Sequence, residues 1–88
     1  MTERFYLYDD TVETKTRFIS FMGESQRFDL ALIYSDRYYG KVIVLNIQDN
    51  CFAIVGHDDL EEEGFIQSSF SLSDDEAEEL TLFLQETI

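Results

Sequence analysis

Three short segments of this chain, Phe28–Tyr34, Lys41–Ile47 and Cys51–Val55, carry apolar side chains at both odd and even positions. Successive side chains of an extended strand point to opposite faces, so each segment is apolar on both. In the first, Phe28, Leu30, Leu32 and Tyr34 share one face, with Ala31 and Ile33 on the other. An antiparallel sheet with one wet face would alternate apolar and polar residues instead. Both faces of this sheet therefore call for cover. The 88 residues make one domain, 1–88, and a chain of that size removes only about 60–65% of its unfolded surface from water.

The connections are hairpin-length. Gly23-Glu24-Ser25-Gln26 reads as a hairpin loop and Ser35 to Gly40 as a turn. Asp49-Asn50 is the strongest turn signal, joining Lys41–Ile47 to Cys51–Val55. Thr14 to Met22 is expected to be an edge strand. Its Lys15 and Arg17 share a face with Ile19 and Phe21, so one end is solvated and the other buried. Phe5 to Tyr8, aromatic and ending at Asp9-Asp10, is predicted as a further strand. Residues 57–64 read as an acidic loop with room for one helical turn, and Phe65 to Phe70 as a short strand or extended lead-in.

The last segment is helical. Ser73 followed by Glu76 is the capping-box pattern, each side chain satisfying the other's free backbone N–H. Asp74, Asp75 and Glu76 sit at the positive end of the helix dipole. Ala77, Leu80, Phe83, Leu84 and Ile88 form one stripe, while Asp75, Glu78, Glu79 and Glu86 lie opposite. Leu82 projects among those acids and should be exposed in a monomer. The expected fold class is α+β: an antiparallel β-sheet of four to six strands with one C-terminal α-helix packed on one face. One helix leaves the other apolar face bare, and a homodimer is the commonest way to cover it.

The charge is asymmetric. All six Lys and Arg lie at or before Lys41, and residues 42–88 carry twelve Asp and Glu with no base, in a chain of net charge −13. Phosphate-led nucleic-acid binding needs clustered Lys and Arg, and an anionic membrane surface needs the same. Both partners are disfavoured. The apolar runs are far too short for a membrane span, and no signal peptide opens the chain. The single cysteine, Cys51, fits a reducing compartment, so the cytoplasm is expected.

The candidate sites are few. His57, Asp58, Asp59, Glu61, Glu62 and Glu63 could hold a divalent cation. Their spacing does not match an EF-hand loop, and without a second histidine a two-imidazole zinc site is impossible within one subunit. A solvated acidic loop is the competing reading. Asp29 and Asp36 flank apolar strands, yet acid–base work needs a carboxyl in an apolar pocket. Cys51 and His57 bracket a strand, and no nucleophile elbow or phosphate loop is present. No catalytic or cofactor-binding residue emerges, no cofactor is implied, and the chain is read as a non-enzyme. Arg4-Phe5-Tyr6 and Arg37-Tyr38-Tyr39 could stack bases, but the surrounding charge favours core or interface roles.

The acidic helix face, Asp75, Glu78, Glu79 and Glu86 with Leu82 among them, has no basic neighbour on the helix, unlike an ordinary solvated face. It serves solubility, docks a basic protein partner or polyamine, or mimics a nucleic acid. The leading functional expectation is a non-enzymatic, acidic protein-interaction module acting as a homodimer. The alternative is a divalent-cation or small-ligand module using loop 57–63.

The chain resembles a small family of cytosolic proteins from Bacillales and related Firmicutes that carries no assigned activity. The resemblance lies in Arg4-Phe5-x-Leu7-Tyr8-Asp9-Asp10-Thr11-Val12-Glu13-Thr14-Lys15 and in Arg27-Phe28-Asp29-Leu30-Ala31. Asp36-Arg37-Tyr38-Tyr39-Gly40-Lys41 and Asp58-Asp59-Leu60-Glu61-Glu62 complete it, over essentially the whole length. It implies a dimeric α+β protein and transfers no catalytic residue or cofactor.

Overall fold

The structure is a computed structural model describing residues 3–24 and 26–88. Four strands, β1 (Lys15–Met22), β2 (Arg27–Tyr34), β3 (Val42–Asn46) and β4 (Cys51–Val55), form an antiparallel meander in the order β1-β2-β3-β4. Three helices follow: α1 (His57–Leu60), α2 (Phe65–Phe70) and α3 (Asp74–Thr87). The fold is α+β, with the sheet at the lower end of the expected strand count. β1 is an edge strand, as its solvated basic end requires.

The turns follow from local chemistry. Gly23 N–H donates to the Gln26 carbonyl at 2.8 Å, closing the β1–β2 hairpin; Ser25 of that loop lies outside the described residues. Asn50 takes φ +54° at the start of the β3–β4 return, a conformation that asparagine tolerates better than most residues. After β2 the chain makes one 3-10 turn, Asp36–Tyr38, with Ser35 Oγ accepting the Arg37 N–H at 3.2 Å.

All three helices lie on one face of the sheet. Phe28, Leu30, Leu32, Val42, Val44 and Val55 from the strands pack against Leu60 of α1, Ile66 and Phe70 of α2, and Ala77, Leu80 and Leu84 of α3. Phe21 of the edge strand stacks between Phe28, with ring centroids 5.0 Å apart, and Phe83, at 4.4 Å. These rings tie α3 to β1. The capping box forms as expected: Ser73 N–H donates to Glu76 Oε1 at 3.0 Å, and Glu76 N–H to Ser73 Oγ at 3.3 Å. Ala77, Leu80 and Leu84 are fully buried along the anticipated stripe.

Three expectations are corrected. Phe65–Phe70 is a helix, not a strand. Ile66 and Phe70 satisfy both a two-residue alternation and a four-residue helical step, so six residues cannot separate the two periods. Gly64 at φ +83° and Ser71 at φ +54° close the helix at either end. Phe5–Tyr8 belongs to no strand: residues 3–14 form an exposed arm without regular structure, bent at Leu7. The C-terminal helix is also one of three, because the 57–64 segment supplies the single helical turn of α1 and α2 follows it.

Among the described residues, no helix lies on the opposite sheet face. Register places Phe18, Ala31, Leu45 and Phe52 in one row across the four strands, and Thr16, Ile33, Ile43 and Ile54 in the next. Phe18 is 77% exposed and Phe52 63%. Ala31 is nonetheless buried, flanked by the larger Phe18 and Leu45.

Candidate functional site

The acidic segment after β4 is used largely for structure. Asp59 accepts the Gly56 N–H at 2.8 Å, satisfying a free donor at the start of α1, and the Lys41 ammonium at 3.0 Å. These bonds hold its carboxyl below the ordinary aspartate range, the Gly56 N–H being the largest cause. Asp58 approaches the same ammonium at 3.7 Å. Lys41 in turn is raised, chiefly by its hydrogen bond to Asp59. His57, Glu61, Glu62 and Glu63 are exposed. Among the described residues, no three His, Cys, Asp or Glu side chains gather into a group that could hold a metal ion.

Most of the remaining chemical candidates are engaged locally. Asp29 accepts the Ser20 hydroxyl at 2.6 Å and pairs with Arg27 at 3.2 Å. Cys51 is half-buried, its thiol donating to the Asp49 carbonyl at 3.2 Å. Asp36 is exposed in the 3-10 turn, and Tyr39 beside it is exposed as well. Arg37 reaches back to the arm, pairing with Asp10 at 3.1 Å and covering the Tyr8 ring at 4.6 Å. The Asp10 hydrogen bond is the main reason that its guanidinium is raised further.

The helix ridge is different. Asp75, Glu78 and Glu86 are exposed, and Leu82 among them is 54% exposed. Glu79 is half-buried and accepts the Glu24 N–H at 2.9 Å, so it fastens the β1–β2 loop to α3. Between that loop and the helix runs an open groove of about 680 Å³. Phe21, Met22 and Leu82 line it together with Glu24, Asp75, Glu78 and Glu79. Four of the five residues singled out on the ridge thus line one groove, and Glu86 lies outside it. Met22 and Glu24 complete the groove from a hairpin some fifty residues away, which local sequence pattern does not reveal.

A second cavity of about 840 Å³ lies where residues 13–15 meet the β2–β3 connection. Lys15 and Lys41 line it together with Glu13 and Asp36, so its charge is mixed.

The described residues thus define a small meander-sheet domain with helices on one face and, at one edge, a groove lined by acidic and apolar residues. The chain belongs to the SAV0927-like family, whose model matches residues 7–86. No curated protein matches it. Among the described residues, no helix is long and apolar enough to cross a membrane.

Proposed function

We propose that this protein is a non-enzymatic interaction module, acting as a homodimer in the cytoplasm, that receives a basic, amphipathic segment of a partner protein in the groove between the β1–β2 loop and α3. The observation that carries this reading is a groove lined by three apolar side chains, Phe21, Met22 and Leu82, and by the four acids Glu24, Asp75, Glu78 and Glu79. Apolar contact supplies affinity, and the acids select charge and speed encounter. A lining charged with one sign also repels acidic competitors. The cytoplasmic setting is supported by the single cysteine. The homodimer is supported by the bare apolar sheet face.

The test is titration of a labelled amphipathic Lys/Leu peptide by fluorescence anisotropy. Binding should weaken steeply as salt rises, because the groove's charges act through screened attraction. Asp75→Asn with Glu78→Gln and Leu82→Ser should weaken it by at least about tenfold, while Glu86→Gln changes little. Equal binding by the triple variant would refute the groove.

A further inference from the structure

We propose that residues 3–8 of one copy lie across the bare sheet face of a second copy, making an arm-exchanged dimer. This rests on the homodimer proposed above and names the segment that builds it. The arm is apolar and unsupported by its own chain: Phe5 is 94% exposed and Leu7 97%. Laid out as a strand on a partner, Phe5 and Leu7 would point the same way, with Tyr6 and Tyr8 opposite. The sequence of this stretch is that of a strand, yet it pairs with none. Asp10 and Tyr8 are held by Arg37 at the arm's base, and residues 3–7 continue past that anchor. The molecule is correspondingly long, 51 × 28 × 24 Å, with a radius of gyration of 15.1 Å, against about 12 Å for a compact domain of this length.

Charge and area both select a second copy as the occupant. In a chain of net charge −13, most surfaces of two copies repel each other. Residues 3–8 carry one acid, Glu3, and one base, Arg4. On the bare face the charges are Arg27 and Asp29, which pair with each other at 3.2 Å. Two neutral apolar surfaces can therefore meet without that repulsion.

Bare faces alone are too small. Four strands about 4.8 Å apart and about 20 Å long give a face on the order of 400 Å². Two such faces together bury about 800 Å², near the upper level of crystal contacts and below the roughly 1,200 Å² of stable interfaces. Each aromatic side chain adds about 150–250 Å² when buried. Phe5 from both copies, with Leu7 beside it, carries the interface past that threshold.

The experiment uses the full chain. Sedimentation velocity compares the wild type with Phe5→Asp/Leu7→Asp, which touches none of the core, and with Phe18→Glu/Phe52→Glu on the receiving face; circular dichroism confirms folding of each. The dimer dissociation constant should rise about 30-fold or more in both variants. p-Benzoylphenylalanine at Leu7, photolysed in a mixture with ¹⁵N-labelled wild type, should cross-link to β1–β4 residues of the labelled copy. A wild-type dimer that the Phe5/Leu7 variant matches in affinity would overturn the arm while leaving the homodimer intact. Cross-links confined to the arm's own chain would overturn it as well. A monomeric wild type would overturn both.

Discussion

The Glu79 carboxylate accepts the backbone N–H of Glu24 at 2.9 Å, joining the middle of α3 to the tip of the β1–β2 hairpin. A residue that sequence spacing places on an outer, solvated face is instead the latch between two walls of the groove. Gly23 makes the approach possible, since a Cβ there would run into the Glu79 carboxylate. Glu79→Ala should cost about 1 kcal/mol in urea unfolding, the usual net worth of such a bond at an exposed site. Gly23→Ala should be destabilising in the wild type and nearly neutral in the Glu79→Ala background, a coupling that a double-mutant cycle reads directly.

Glu76 makes stability depend on acid in a defined direction. Its carboxyl is lowered, first by the Ser73 N–H and then by the Ser73 hydroxyl. A lowered folded-state value means that the unfolded chain takes up the proton first. The contribution is therefore complete above the unfolded glutamate value of about 4.3 and is lost as pH falls through the folded one. The stability gap between wild type and Glu76→Ala should be constant from neutral pH to about pH 5.5 and close below about pH 4. A gap that widens on acidification would contradict this. Ser73→Ala should cost about 1 kcal/mol at neutral pH, as loss of an N-cap does.

Ser71 closes α2 in the left-handed region at φ +54°, its N–H donating to the Gln67 carbonyl. That conformation crowds Cβ in any residue but glycine. Ser71→Gly should raise stability by about 0.5–1 kcal/mol, measured as a higher urea midpoint with an unchanged slope.

A chain of net charge −13 works against its own compaction. The melting temperature should rise with NaCl at low ionic strength as screening sets in. At matched ionic strength, EDTA, Ca²⁺ and Mn²⁺ should leave it unchanged. A specific upward shift with one cation would instead signal a bound ion, by linkage, and would favour the 57–63 segment as a cation module.

Much of the fold was legible in the chain. The Ser73–Glu76 pair marked the start of α3, Asp49-Asn50 marked the β3–β4 hairpin, and apolar residues on both faces of β2 and β3 foretold a sheet with one face left over. Where the reading failed, the deciding information was not local. Six residues in α2 fit two periods equally well. Phe5–Tyr8 has the composition of a strand, but pairing needs a neighbouring edge, which its own sheet does not offer. In loop 57–63 the sequence does not say which acids are engaged at home; Lys41 and the Gly56 N–H take Asp59. The groove was half visible: Asp75, Glu78, Glu79 and Leu82 share a helix face, while Phe21, Met22 and Glu24 join them only through tertiary packing.

In the proposed assembly, a strongly acidic chain associates with itself through neutral apolar surfaces and leaves its acidic groove open. Sedimentation equilibrium of the full chain, at micromolar concentration in about 20 mM and about 300 mM NaCl, tests this directly. The predicted result is a species of twice the 10.3 kDa chain mass, tighter at the higher salt. A 10.3 kDa monomer at both salts would contradict it.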